Sequence, residues 1–449
     1  MVTDGSRAPD TARPDPPAVG GAGTARRRLL VDLTPLRASR PYRWLWVGAA
    51  LSGIGTQLTT VVVALQVYDV TGSTFHVGLV GLFALVPLVS LGLYGGAIVD
   101  AHDRRKVLLT SAAGLLVAGL AFAAQAWLGV GEVWLLYGLV AVQNAFLAIN
   151  GPARTAIIPR LLPTSLLPAA NALSGLSMGT AVTVGPLLAG PLIALGGYGA
   201  AYSVQAVMLA VALVTLVALP PLPPQGEVRR AGLRSVLEGL GYLRTRPNLR
   251  MTFFVDLAAM ILAMPRVLFP AIAAVVLGGG ANTVGILVAA IAAGSLLAGL
   301  LSGPLGHVRR QGFAVLAAVV TWGLAVAAFG VVVTLSPGPP ASGGAHWMLW
   351  PAVGCLVVAG AADTVSSVFR HTILQAATPD HLRGRLQGVF IVVVSGGPQL
   401  GDIVLGTLAS ISTETLAAII GGLACVAVVI ALGVRQPGFA RYDARHPTP

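Results

Sequence analysis

Four ionisable side chains lie inside long apolar stretches of this 449-residue sequence, namely Asp256, Arg266, Asp363 and Asp402. An ionised group at the centre of a membrane helix costs about 2.5–3.5 kcal/mol on the insertion scale, so four unpaired groups would cost roughly 10 kcal/mol. We therefore expect each group to pair with an opposite charge or to face a water-filled cavity. Because such groups can take part in proton movement, all four are candidates for proton coupling.

Arg266 and Asp402 lie at similar depths in their apolar stretches, and we hypothesise that they form an ion pair. Asp256 and Asp363 lie nearer to the basic ends of theirs, which makes them the better candidates for binding a proton. The alternative for each of the four is a polar side chain that only joins two helices.

The elements that carry these residues are predicted to be membrane helices. The chain is 55% hydrophobic and 10% charged, whereas a soluble domain carries about 25% charged residues. Its apolar residues form blocks of about twenty, which as helix cross a hydrocarbon core of roughly 30 Å. The sequence therefore predicts an all-α membrane protein with twelve transmembrane helices. The predicted spans are 44–67, 77–99, 107–128, 133–152, 172–195, 198–219, 252–276, 284–305, 313–335, 347–369, 387–409 and 415–434.

Basic residues indicate the orientation. All but one of the 28 Lys and Arg residues, the exception being Arg266, fall in the two tails and in alternate loops, where we place Arg154 and Arg370 as well. The positive-inside rule then predicts a multi-pass protein of the cell (cytoplasmic) membrane with both termini in the cytoplasm. The net charge of +12 does not indicate nucleic-acid binding, because the basic residues lie at the ends of apolar blocks and not on one face.

The two halves of the chain resemble each other. One set of residues recurs at an offset of 216, pairing Arg154 with Arg370, and Gly185-Pro186 recurs as Gly397-Pro398. Such duplication is typical of secondary transporters, whose substrate path lies between the halves. We predict two pseudo-symmetric six-helix bundles, with this division: a disordered cytoplasmic tail at 1–40, an N-terminal bundle at 41–219, a cytoplasmic linker at 220–250, a C-terminal bundle at 251–434 and a cytoplasmic tail at 435–449.

The linker has an apolar pattern of its own. Leu233, Val236, Leu237, Leu240 and Leu243 recur at helical spacing among arginines. This pattern predicts an amphipathic helix on the cytoplasmic leaflet, and the alternative is a plain linker.

The sequence motifs do not favour the function of a soluble enzyme. The sequence contains no phosphate-binding G-x-x-x-x-G-K-[ST], and its seven histidines show no metal-ligand spacing. We predict that the protein is not an enzyme and has no cofactor and no metal site. The predicted partners are a small-molecule substrate, protons and the lipid bilayer, with the chain acting as a monomer.

The loop after the second span resembles the signature loop of the major facilitator superfamily, G-x-x-x-D-R-x-G-R-R/K. Gly96, Asp100, Arg104 and Arg105 match it, whereas Ala101 and Asp103 replace an Arg and a Gly. The resemblance implies the major facilitator fold and a conformational latch at this loop. Without the first Arg, the latch is predicted to use Asp103 and the basic run that ends at Lys106.

The stretch at 181–191 resembles the G-P-x-x-G-G motif of exporters in the same superfamily. Gly185, Pro186, Ala189 and Gly190 align with it, and on physical grounds the stretch is a kinked packing face. The segments QVYDVTGS, GPARTAIIPRLLP and HLRGRLQGVF are similar to the branch that includes enterobactin-type siderophore exporters and macrolide or multidrug efflux proteins.

This resemblance implies a secondary active transporter that exports a siderophore, drug or antibiotic-like molecule by proton antiport and alternating access. Two alternatives stay open: an importer or facilitator of the same fold, and a non-transporting membrane protein. The family arrangement places spans 1, 2, 4, 5, 7, 8, 10 and 11 around the cavity. Gln57, Gln66, Asn144 and Gln399 then become candidates for substrate contact. Their alternative is interhelical hydrogen bonding, worth about 0.6 kcal/mol on average.

Overall fold

The computed structural model describes residues 32–223, 241–302, 305, 308–339, 345–377 and 380–443, and the side chains of 93–101, 375, 380–392 and 395 lie outside that description. The predicted amphipathic helix falls largely on the linker residues 224–240 and lies outside the described part.

Eleven long helices make up most of the described chain. They are α1 (Arg40–Thr71), α2 (Thr74–Ala101), α3 (Arg104–Trp127), α4 (Val133–Leu161), α5 (Leu167–Val217), α6 (Pro247–Leu262), α7 (Gly280–Leu300), α8 (Gln311–Thr334), α9 (Leu349–Ala376), α10 (Asp380–Ile411) and α11 (Glu414–Arg435).

Ten stretches of the described residues are long and apolar enough to cross a membrane. One of them, Thr164–Val217, covers two predicted spans, and the backbone of α5 is non-helical at Gly196 and Gly197. Gly197 has a φ of 65°, a conformation that costs glycine little, so the chain reverses there between the two arms of α5. The predicted all-helical membrane architecture is confirmed, and the count of twelve stays a prediction.

A break follows α6 at Ala263–Met264. Proline disfavours helical backbone in the residue before it, and Met264, which precedes Pro265, is extended with φ −97° and ψ 94°. The chain continues as a 3-10 turn at Pro265–Leu268. Trp322 of α8 donates from its indole nitrogen to the carbonyl oxygen of Ala263 at 3.0 Å, which satisfies a backbone group beside the break.

Two arginines that the sequence analysis placed in loops lie within helices. Arg154 is in α4 and Arg370 is in α9, where Arg370 is buried. The sequence prediction was wrong here because the change in hydropathy marks the end of an apolar block, whereas the hydrogen-bonded helix continues beyond it. A charge in this zone needs a partner, and Arg370 has one in Asp256.

The helices pack in two groups, α1–α5 and α6–α11, which meet through α2 with α10 and through α5 with α7. Glycines allow the close approach at both contacts. A Cβ atom at Gly78 would lie 2.5 Å from the carbonyl oxygen of Asp402, and one at Gly285 would lie 2.7 Å from that of Pro186. The two groups therefore touch backbone to backbone, as small residues permit between membrane helices.

The two ends of the helix bundle differ in charge. At one end, which we call the Arg-rich end, α1 begins at Arg40, α3 begins at Arg104 and α11 ends at Arg435. The described loops at the opposite end contain no Lys or Arg. The contacts at Gly78 and Gly285 lie towards that opposite end, near the starts of α2 and α7.

The α5–α7 contact yields a first prediction. Gly285→Ala should destabilise the protein by about 1–3 kcal/mol, because the added methyl group overpacks against the Pro186 carbonyl. Gly299→Ala is the matched control in the same helix, where a Cβ atom would meet nothing within 4 Å. The measurement is the midpoint of thermal unfolding in detergent. Equal midpoints for the two variants would contradict a close contact at Gly285.

Candidate functional site

A cavity of about 820 Å³ lies between the two groups of helices. Its walls come from all eight spans expected from the family arrangement. These spans correspond to α1, α2, α4, α5, α7, α9, α10 and the turn after α6. It extends along α5 from Pro186 to Gly175, towards the Arg-rich end. Gly175 and Gly179 face open space, since a Cβ atom at either would meet nothing within 4 Å.

Arg266 and Asp402 form the ion pair that the sequence analysis proposed. Nε of Arg266 donates to both carboxylate oxygens of Asp402, at 3.0 and 3.2 Å, and Nη2 donates to Oδ2 at 2.6 Å. Nη2 also donates to Oε1 of Gln399 at 3.2 Å. A bidentate pair of this kind fixes the orientation of both side chains.

The fold explains how these two side chains meet. Because the helix breaks at Met264–Pro265, Arg266 stands in a 3-10 turn beside the cavity, with its side chain 29% exposed. Asp402 lies in α10, where that helix packs against Gly81 of α2. The pair therefore sits at the depth where the two groups of helices touch, and it forms part of the cavity wall.

A second ionic cluster contains Asp256, Asp363 and Arg370. Arg370 of α9 pairs with Asp256 of α6, and both side chains are almost fully buried, at 4% and 3% exposure. Nη2 of Arg370 lies 3.7 Å from Oδ1 of Asp363, whose side chain is 33% exposed and lines the cavity. Two carboxylates thus share one guanidinium, and only Asp363 reaches the cavity wall.

Sequence reasoning missed Arg370 as a member of this cluster. Its recurrence with Arg154 at an offset of 216 was visible, but both residues were assigned to loops. Sequence reasoning also missed Gln143, which lines the cavity beside Asn144. Gln143 and Asn144 are adjacent polar residues in an otherwise apolar helix, and this pattern could have marked Gln143 as a cavity residue.

Three of the four substrate-contact candidates line the cavity, namely Gln57, Asn144 and Gln399. Gln66 is not among the lining residues. It exchanges hydrogen bonds with Gln125 at 3.1 Å and accepts one from Tyr202 at 2.8 Å. These contacts are the interhelical hydrogen bonds that the alternative reading described.

The signature loop contacts its own half of the molecule. Asp103 caps α3 by accepting from the Arg105 amide at 2.8 Å, and it accepts from the amide of Leu222 at 3.3 Å. Nη2 of Arg105 donates to the carbonyl of Val217 at 2.8 Å. Arg104 donates its amide to the Leu222 carbonyl at 3.1 Å, and Lys106 is exposed. The contacts of Gly96 and of the Asp100 side chain lie outside the described set, so the latch stays a prediction.

The exporter-motif residues lie where α5 meets two other helices. A Cβ atom at Gly185 would lie 2.7 Å from Cβ of Gln57 in α1. Gly190 packs against Asn282 of α7, Ala189 is buried, and Pro186 lines the cavity. The motif is thus a packing face, as its small residues predicted, and it lies at the contact between the two groups of helices.

Comparison with known proteins identifies the family. Residues 31–445 match the family described as transmembrane secretion effector. The chain belongs to this family. The enterobactin exporter EntS of Citrobacter koseri is 28% identical to it over 425 residues, which are 94% of this chain and 98% of that protein. The enterobactin exporter EntS of Shigella boydii is 28% identical over 404 residues, covering 90% and 93%.

Solved structures show the same fold at low sequence identity. The nucleoside transporter NupG has a TM-score of 0.69 at 12% identity, covering 88% of this chain and 99% of that one. A POT family transporter in complex with 5-aminolevulinic acid has a TM-score of 0.68 at 12% identity, covering 89% and 97%. A bacterial homologue of the iron transporter ferroportin, in an inward-facing state, has a TM-score of 0.63 at 14% identity, covering 89% and 98%.

The protein is therefore a transporter of the major facilitator fold and an integral membrane protein, not an enzyme. The resemblance seen in the sequence, to the superfamily branch that includes enterobactin exporters, is confirmed.

The Arg266–Asp402 pair yields a second prediction. Asp402→Asn should cost about 3 kcal/mol of stability, because it leaves a cation without its partner at the centre of the protein. Adding Arg266→Gln should recover part of that loss, since the double variant has no uncompensated charge. The measurement is the thermal midpoint and folded yield of the three variants in detergent.

Glu132→Gln is the control for loss of a carboxylate, since Glu132 is exposed at the start of α4 and makes no capping hydrogen bond. A double variant no more stable than Asp402→Asn alone would show that the two residues are not coupled.

Proposed function

We propose that this transporter exports a small, partly apolar molecule across the cytoplasmic membrane in exchange for protons, by alternating access. The observation that carries the proposal is the cavity between the two groups of helices. It is bounded by the Arg266–Asp402 pair where the groups touch, and the carboxylate of Asp363 lies in its wall. The similarity to the enterobactin exporter over 94% of the chain supports export of a siderophore, drug or antibiotic-like molecule.

The cavity extends towards the end from which an exported substrate would enter. Under the positive-inside rule the Arg-rich end faces the cytoplasm, as do both termini. The cavity extends towards that end along Gly175 and Gly179. A substrate from the cytoplasm can therefore enter while the opposite end is held closed by the α2–α10 and α5–α7 contacts. The exporter motif lies at the second of these contacts.

The closed end has a polar contact between the halves as well. The hydroxyl of Thr74, at the start of α2, donates to a carboxylate oxygen of Glu414, at the start of α11, at 2.8 Å. Opening towards the outside would separate these residues together with the backbone contacts at Gly78 and Gly285. Three separable contacts at one end and a cavity at the other are the geometry that alternating access requires.

Proton coupling is assigned to the cluster of Asp256, Asp363 and Arg370. Arg370 neutralises one carboxylate, so the cluster carries one carboxylate in excess. Asp363 is the member that reaches the cavity, so it is the group to which we assign the binding of the proton.

The third prediction tests export and proton coupling together. Cells that express the chain should accumulate less of an added drug or siderophore than cells without it, and an uncoupler should abolish the difference. One unit of pH difference supports about a tenfold concentration ratio for a one-to-one exchange. Asp363→Asn should abolish the uncoupler-sensitive part, whereas Glu132→Gln should retain it.

The outcomes that contradict export are equally clear. Unchanged accumulation of siderophores and hydrophobic drugs in all cells would overturn the exporter. Higher accumulation in the expressing cells would indicate an importer. If efflux by the Asp363→Asn variant is still sensitive to the uncoupler, Asp363 is not the residue that binds the coupling proton.

A further inference from the structure

The charge balance of the cavity narrows the chemistry of its ligand. The described residues that line it include three ionisable side chains, Arg266, Asp363 and Asp402. Arg266 and Asp402 neutralise each other through a bidentate contact. The cavity wall is thus left with the carboxylate of Asp363.

The arginine that lies beside Asp363, Arg370, makes its closer ion pair with another carboxylate. Arg370 pairs with Asp256, and those two side chains are 4% and 3% exposed, which makes them a compact neutral unit. Asp363 lies 3.7 Å from the same guanidinium and is 33% exposed. Taken together, the two arginines and three aspartates carry one net negative charge. That charge is accessible to a ligand only at Asp363.

The wall of the cavity is mostly apolar, with residues such as Val80, Phe269, Pro270 and Val288. Among the described residues that line it, the one basic side chain is Arg266, which is paired with Asp402. A charge in an environment of low polarity attracts an opposite charge more strongly than it would in water. The volume of about 820 Å³ lies within the range of pockets that hold drug-sized ligands.

We propose that the cavity binds amphiphilic organic cations in preference to anions, with Asp363 as the residue that receives the positive charge. The ligand class is an ammonium or phosphonium group carrying apolar substituents. The substituents contact the apolar walls while the cation lies against the Asp363 carboxylate. The inference rests on the proposed function, because it names the class of substrate for the same cavity.

The fourth prediction uses two ligands of nearly the same shape. Tetraphenylphosphonium and tetraphenylborate each hold four phenyl rings around one atom and differ in the sign of their charge. We expect the purified full-length protein in neutral detergent to bind the phosphonium at least about tenfold more tightly, which corresponds to ~1.4 kcal/mol. Equilibrium dialysis measures both affinities, with binding to protein-free micelles subtracted.

Three variants locate the preference. Asp363→Asn should reduce the ratio of the two affinities to about one, because the uncompensated charge is gone. Asp363→Glu keeps the charge and should keep the ratio, as should Glu132→Gln, whose carboxylate lies outside the cavity. Equal affinities in the unmodified protein, or a ratio that Asp363→Asn leaves intact, would overturn the inference. The comparison in the unmodified protein is decisive even where a variant does not fold.

Failure of this inference is distinguishable from failure of the proposed function. Binding at equilibrium requires no transport, so a cation preference that depends on Asp363 stands even where cells show no efflux. Conversely, efflux that is sensitive to an uncoupler combined with equal binding of both ions would leave the exporter in place and remove the cation preference.

Discussion

A charge inside a membrane protein must be neutralised, and the Arg266–Asp402 contact is where this requirement shapes the molecule. Arg266 comes from the turn after α6 and Asp402 from α10, so the pair ties a broken helix to a continuous one. Asp402 also lies against Gly81 of α2, which belongs to the other half of the chain. One ion pair thus lies at the meeting point of three elements and at the boundary of the cavity.

The break that presents Arg266 depends on backbone chemistry. Pro265 forces Met264 out of helical conformation. The indole N–H of Trp322 then donates a hydrogen bond to the carbonyl of Ala263 beside the break. Unpaired backbone groups cost several kcal/mol in a bilayer, so an irregular segment is tolerated only where it is buried in protein or lines a cavity. The segment here does both, which explains why a cation and a helix break occur together.

The sequence was informative where a single rule decided the outcome. Similar depth in two apolar blocks was enough to pair Arg266 with Asp402, and small residues were enough to identify the packing face around Gly185.

The sequence was less informative where contacts with other helices decide the outcome. Arg370 was placed in a loop because hydropathy reports the end of an apolar block and not the end of a helix. Gln66 was assigned to the cavity because a sequence does not show which side of a helix faces Gln125 and Tyr202. The backbone contact between α2 and α10 joins residues hundreds of positions apart, and no local pattern predicts such a contact.

The single carboxylate in excess has a consequence for the energy source. A cavity that holds either one proton or one monovalent cation at Asp363 carries the same total charge in both loaded forms. Each half of the transport cycle would then move an electrically neutral unit across the membrane. The membrane voltage, worth about 2.3 kcal/mol per charge at 100 mV, would do no work on such an exchange. The contribution of the proton would depend on the pH difference between the two compartments and not on the voltage, so that an acidic exterior would favour export whatever the electrical polarity of the cell.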